Sequence, residues 1–127
     1  MVTWNNLDKL ASYQELKDTA RVNLAEVMSG ENGAARVKNY SIPMAAGFTY
    51  NYAAKAVDDK VLTALVKLAD EAQLAEKFKE LYNGAVINTG ENRLVLHHMT
   101  RGQLGDAVNA DGVDKRAFYV EQQNRIA

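Results

Sequence analysis

Cysteine is absent from the 127 residues. That removes disulfides, thiolate nucleophiles and cysteine-rich zinc sites together. Proline occurs once and glycine eight times, too few for a collagen-like or linker-like chain. Neither sign of charge is in excess, since fifteen Lys and Arg against sixteen Asp and Glu leave a net charge of -1. Nucleic acid and anionic membrane surfaces are therefore not expected partners. No apolar run approaches the roughly 20 residues that cross a bilayer, and Met1-Val2-Thr3-Trp4-Asn5-Asn6-Leu7-Asp8 lacks the basic-then-apolar pattern of a signal peptide. The expected address is cytoplasmic. What is present, 47% hydrophobic and 24% charged residues, suits one compact globular domain with its own core.

The pattern along the chain is mostly helical. Leu7, Leu10, Ala11 and Leu16 recur at helical spacing over residues 6–17, with Asn5 or Asn6 as a possible cap. A second helical stretch runs from Asn23 to Met28. Gly30-Glu31-Asn32-Gly33 reads as a loop, and Ala34 to Asn39 as a short helical turn. Phe48, Tyr50 and Tyr52 then alternate with Thr49 and Asn51, as in an extended strand. Pro43 suits an edge position, so the region predicts a small two-stranded hairpin.

Residues 59–82 carry the strongest signal. Asp58 or Asp59 caps an apolar stripe that includes Leu62, Leu65, Leu68, Ala69 and Ala72, with Leu65 and Leu68 expected in the core and Lys67–Glu71 as an i,i+4 pair. A second stripe through Leu74, Ala75, Phe78, Leu81 and Tyr82 is out of phase, so a bend near Glu71-Ala72-Gln73 is as consistent as one rod. Asn83-Gly84 supplies a left-handed stop. Ala85-Val86-Ile87 reads as a connector, Thr89-Gly90-Glu91-Asn92 as a turn, and Arg93 to Arg101 as a helix ended by Gly102-Gln103-Leu104-Gly105. Asn109-Ala110-Asp111-Gly112 is another turn before a helical pattern over Val113 to Ala127. The fold class is thus mainly α, a small helical domain of about five to six helices with a short β-hairpin near residues 40–53.

Familiar chemistry is hard to place. Ser12, Ser29 and Ser41 lie outside any Gly-x-Ser-x-Gly elbow. His97-His98 point about 100° apart on a helix, unlike the i,i+4 pairs that chelate metal, and the expected arrangement is one ring packed inward with a hydrogen bond and one outward. Asn109-x-Asp111-Gly112 resembles part of a calcium loop, but Ala107 and Phe118 fall where ligands are required. No metal site and no Walker-type or dinucleotide loop is expected. Arg93, His97 and Arg101 recur at i, i+4 and i+8, which would stack them on one helical face. Such a row can bind an anion or pair with carboxylates of a neighbouring helix, and the architectural reading is favoured.

The segment Tyr82-Asn83-Gly84-Ala85-Val86-Ile87-Asn88-Thr89-Gly90-Glu91-Asn92-Arg93-Leu94-Val95-Leu96-His97-His98-Met99-Thr100-Arg101 is similar to the N-terminal part of the glucose-6-phosphate isomerase (phosphoglucose isomerase) family. Gly84, Ile87, Asn88, Glu91, Arg93, Val95, Leu96, His97 and Arg101 match that family's motif without a gap. Gly90, Leu94 and Met99 depart from it, and Asn51-Tyr52-Ala53-Ala54 follows the family's Asp-Tyr-Ser-Lys only loosely.

The resemblance implies interconversion of glucose 6-phosphate and fructose 6-phosphate, in glycolysis and gluconeogenesis, through ring opening and an enediol. In that family the work is metal-independent acid–base chemistry without a cofactor, carried out in sugar-isomerase domains that lie beyond the position matching Ala127. No catalytic residue is therefore carried onto this chain. Asn88, Glu91, Arg93, His97 and Arg101 are motif positions with structural or anion-contact roles. Residues 1–127 are expected to form an N-terminal helical domain without the sugar-isomerase domains, inactive alone. Its partners would be the remaining domains of the parent, a homodimer in the family, and sugar phosphate would bind only the complete enzyme. The alternative is a stand-alone helical protein-interaction module derived from that domain. An exposed apolar surface at Phe118, Tyr119, Val120 and Ile126 favours the first reading. A small anion-binding protein using Arg93, His97 and Arg101 is the third and weakest.

Overall fold

The computed structural model describes residues 2–102 and 105–127. It contains six α-helices and three two-stranded antiparallel hairpins, the mainly α architecture expected. The chain divides into two compact units, Asn5–Ala72 and the rest, and each is described by itself.

In the unit spanning Asn5–Ala72, a 3-10 turn at Leu7–Lys9 leads into α1, Ala11–Asp18. Neither Asn6 before the turn nor Leu10 before α1 caps with its side chain. The free N–H groups at the start of α1 are met instead by Glu71, which accepts from Ala11 N at 3.2 Å and Ser12 N at 2.8 Å and also takes the Ser12 hydroxyl. An anion there satisfies orphan donors and suits the positive helix end. Lys67 likewise pairs with Glu15 at 2.7 Å rather than with Glu71. These two contacts run α1 antiparallel to α4, Asp59–Glu71, whose N-terminus Asp58 caps by accepting from Val61 N at 2.8 Å.

Ala64 lies on the same face of α4 as Lys67 and Glu71 by spacing, and it is the buried residue of that helix. Leu65 is 38% exposed and Leu68 half-buried, so the expected core pair is not the core. Two helices can approach closely only across small side chains, and the large residues are turned aside.

Short α2, Leu24–Val27, is capped by Asn23. The following α3, Gly30–Asn39, begins inside the stretch expected to be a loop. A Cβ on Gly33 would stand 2.2 Å from the Met28 carbonyl oxygen, so glycine serves close packing there rather than a turn.

The first hairpin forms where expected: β1, Ser41–Pro43, pairs with β2, Thr49–Asn51, in the register Ser41↔Asn51, Ile42↔Tyr50 and Pro43↔Thr49. Tyr50 and Tyr52 stack with ring centroids 6.2 Å apart. On the opposite face, Asn51 donates to the Val37 carbonyl at 2.7 Å and binds the hairpin to α3. A further tie is Arg36, which lies under the chain after β2 and donates to the carbonyls of Ala53, at 2.7 Å, of Lys55 and of Val57. Its guanidinium also sits 4.1 Å from the Tyr40 ring centroid.

In the other unit α5 spans Leu74–Tyr82, set off from α4 by Gln73 at φ 53°, so the stripe in two phases is two helices. Thr3 N donates to the Gln73 side chain at 2.8 Å. Gly84, at φ 79°, ends α5, and a Cβ there would lie 2.2 Å from a Val108 methyl. The connector expected at Ala85-Val86-Ile87 is a strand, β3 (Val86–Asn88), paired with β4 (Arg93–Leu94) through Val86↔Leu94 and Asn88↔Arg93.

A helix over Arg93–Arg101 does not form. The Thr89-Gly90-Glu91-Asn92 turn, with Asn92 at φ 51°, folds the chain back into β4. Only His97–Arg101 winds, as a 3-10 helix. Gln103 and Leu104, within the run expected to end that helix, lie outside the described residues. Strands β5 (Asn109–Ala110) and β6 (Val113–Asp114) flank the expected Asp111-Gly112 turn, and α6 follows over Lys115–Ile126. Among the described residues of this unit, Met99 and Val108 are the buried apolar ones.

Candidate functional site

The five motif residues separate into two places. Asn88 ends β3 and closes the turn: its Oδ1 accepts from Glu91 N and its Nδ2 donates to the Glu91 carboxylate, both at 3.2 Å. Glu91 in turn faces Arg93 at 3.8 Å, with the Arg93 side chain 76% exposed. Asn88, Glu91 and Arg93 thus form a solvated turn clasp. Arg93 is therefore a surface-facing group paired with a carboxylate.

His97 and Arg101 lie elsewhere. The 3-10 helix His97–Arg101 and the last turn of α5 enclose an open cavity of about 430 Å³, which the two share with Phe78, Tyr82, His98 and Thr100 among its lining. Arg93 does not line it, so the row of Arg93, His97 and Arg101 on one face is not formed. The cavity offers cationic and imidazole groups on one wall and aromatic surface on the other. Among the described residues, none of its lining side chains is a carboxylate.

His98 stacks on Tyr82 with ring centroids 4.3 Å apart. The adjacent histidines divide as one inward and one outward, but the inward ring lacks the expected hydrogen bond: Nδ1 and Nε2 of His98 are buried without a partner among the described residues. Burial, and then the positive charge of Arg116, hold the imidazole below its usual 6.5. The Tyr82 carbonyl pulls the other way without reaching hydrogen-bond geometry. The His98 ring packs on Tyr82 with both nitrogens buried.

Arg116, which composition and spacing did not single out, organises this region. It is buried and donates to the carbonyls of Asp106 at 2.8 Å and Tyr82 at 3.0 Å. Asp114 accepts from Arg116 N at 3.0 Å and from Val108 N at 3.3 Å, capping α6 while fixing the strand before it. One guanidinium therefore ties the end of α5 to the start of α6. The only sequence signal was its neighbour, an Asp placed at a helix start.

Among the described residues no three His, Asp or Glu side chains are grouped closely enough to hold a metal ion. No helix is long and apolar enough to cross a membrane. On α6, Phe118, Val120 and Ile126 are exposed, and Tyr119 is half-buried.

Comparison with known proteins gives these features a context. The phosphoglucose isomerase family model matches residues 51–126. A glucose-6-phosphate isomerase from Treponema denticola is 48% identical over 128 residues, covering 97% of this chain and 24% of the relative. One from Treponema pallidum strain Nichols is 42% identical over 129 residues, covering 98% and 24%. Among solved structures, a glucose-6-phosphate isomerase from Chlamydia trachomatis superposes with a TM-score of 0.73 at 28% identity, over 97% of this chain and 25% of that one. The chain spans about a quarter of the length of the curated relatives it matches. With more than half of its residues inside the family model, and the Asn88–Arg101 motif held in the turn and 3-10 helix just described, the chain belongs to the phosphoglucose isomerase family.

Proposed function

We propose that residues 1–127 act as the N-terminal helical domain of a glucose-6-phosphate isomerase, which interconverts glucose 6-phosphate and fructose 6-phosphate in the cytoplasm. In this reading the chain contributes scaffold to an enzyme of glycolysis and gluconeogenesis, works together with the remaining domains of a homodimeric parent, and is inactive alone. The observation that carries it is the coverage: relatives of that name match nearly the whole chain, and the match occupies only about a quarter of each relative. The chemistry agrees. Shuttling a proton between C1 and C2 of a sugar needs a base exposed to substrate. His97, His98 and Arg101 line one cavity with no carboxylate among its described lining, and the nitrogens of His98 are buried.

A graft tests this directly. The chain replaces the matching 128 residues of the Treponema denticola relative, and the hybrid is assayed for conversion of fructose 6-phosphate. Turnover within an order of magnitude of the unaltered relative supports the reading. A folded hybrid without turnover contradicts it.

A further inference from the structure

We propose that His98 is an acid-operated latch: on taking up a proton its ring leaves Tyr82, and the 3-10 helix His97–Arg101 lifts off α5 and α6 while both of those helices stay folded. The observation that carries it is a buried imidazole with no acceptor for a second N–H. Neutral His98 stacks on Tyr82 at 4.3 Å, and both ring nitrogens are buried without a partner among the described residues. Protonation makes both nitrogens donors and adds a positive charge. A charge at a buried site is tolerated only with a partner.

Among the described residues, the groups around the ring supply none. From the last turn of α5 comes the Tyr82 ring, and the Tyr82 carbonyl already accepts from Arg116 at 3.0 Å. From α6, which packs against the 3-10 helix, comes Arg116 itself, a buried cation whose charge opposes a second one on His98. At the start of α6 the Asp114 carboxylate is engaged by Val108 N and Arg116 N. On the 3-10 helix, His97 and Arg101 share the cavity wall with His98, and no described lining side chain there is a carboxylate. The ring also has the easier exit. Arg116 is fixed by the Asp106 and Tyr82 carbonyls, whereas the 3-10 helix spans five residues and adjoins an open cavity. Short segments of this kind open at lower cost than the helices they rest on.

Linkage sets the size of the response. The imidazole is held below its usual 6.5 in the closed form and returns toward that value once in water. The open form therefore gains up to about tenfold for each pH unit below 6.5, until the closed form itself protonates. What the opening uncovers is Met99, the next residue along, which is fully buried in the closed form. Mild acid thus exposes an apolar side chain reversibly, without unfolding the unit. The latch stands independently of the function proposed above.

The test follows the methionine methyl groups of the 127-residue chain by nuclear magnetic resonance, with a water-soluble paramagnetic relaxation agent, from about pH 7.5 to about pH 4.5. Relaxation of the Met99 methyl should rise about threefold or more over the range in which the His98 ring titrates. Met44, already 57% exposed, serves as the reference that does not change, and far-ultraviolet circular dichroism should hold steady. His98→Phe keeps an aromatic ring against Tyr82 with no proton to take up, and should show no rise. His98→Gln makes the same comparison if His98→Phe does not fold, and His97→Gln should keep the parent response. A His98 ring that titrates while Met99 stays shielded would overturn the proposal. So would a ring that stays neutral to the acid end of the range, an equal rise in the His98 variants, or a loss of circular dichroism in step with the rise, which is unfolding rather than release of one helix.

Discussion

Arg36 and Ala53 are joined by a 2.7 Å hydrogen bond from the guanidinium Nε to the backbone carbonyl, and both residues are buried. The same side chain reaches the carbonyls of Lys55 and Val57, so one arginine of α3 holds the entire segment that leads from β2 to α4. Arg36→Ala should lower stability by at least about 3 kcal/mol, because a bond from a charged donor contributes roughly 1.5–3 kcal/mol and a stranded buried carbonyl adds its own penalty. Arg36→Lys should recover only part of this, since an ammonium lacks the planar fork. Urea unfolding of the three proteins measures it. A parent-like midpoint for Arg36→Ala would remove the tie.

Arg93 should behave in the opposite way. Its guanidinium lies in solvent beside Glu91 at 3.8 Å, and exposed ion pairs contribute little. Arg93→Ala should leave the urea midpoint of the isolated chain where it was. A clear drop would show that Arg93 reaches acceptors inside the fold.

On α4 the informative pair is Ala64 and Leu65. With Leu65 38% exposed, Leu65→Ala should cost less than the roughly 2–5 kcal/mol of an emptied core site. Ala64→Leu, on the buried face, should cost about 1–3 kcal/mol by overpacking. Thermal unfolding followed by circular dichroism ranks the two, and the reverse order would mean that the outer stripe is the packed one.

Glu71 makes the first unit sensitive to acid. The Ser12 hydroxyl, then the Ser12 N–H, hold the Glu71 carboxyl below its usual 4.5. The folded state therefore binds this proton less readily than the unfolded chain, so the contribution is fully present above about pH 4.5 and is lost as pH falls through the lower folded value. The urea midpoint of the parent should drop more steeply from pH 6 to pH 3 than that of Glu71→Gln. Parallel profiles would contradict the cap.

His98 carries the corresponding sign for a base. With its imidazole held below 6.5, the native state stays neutral while the unfolded chain takes up a proton, so stability declines as pH falls from about 6.5 toward the folded value. Nuclear magnetic resonance titration should place His98 below 6.5. A midpoint at or above it would mean that the buried nitrogens have found an acceptor.

The legible parts of the fold were those written in local pattern. Alternating aromatics after Pro43 point to the hairpin, because the strand period acts over a few residues, whereas the phase change near Gln73 left one rod and two helices equally open until the left-handed Gln73 separated them. The helix expected over Arg93–Arg101 was lost to a turn: Val86 found Leu94 across the hairpin, and no periodicity announces that pairing. Arg36 and Arg116 were invisible for a related reason. Their acceptors are backbone carbonyls distant in sequence, at Ala53 and Tyr82, and carbonyls carry no residue identity. Among the motif residues, spacing placed Arg93 with His97 and Arg101, but the turn holds it beside Asn88 and Glu91, and the cavity under His97 and Arg101 depends on α5, which spacing does not show.

We propose above that this chain serves as scaffold for a sugar-phosphate isomerase whose catalytic groups lie in the rest of the parent. The most direct measurement is a coupled steady-state assay of the purified 127-residue chain at high concentration with fructose 6-phosphate. The account predicts a rate indistinguishable from buffer. Turnover that co-purifies with the chain and disappears in His97→Ala or Arg101→Ala would contradict it, because the cavity beneath the 3-10 helix would then be an active site in its own right.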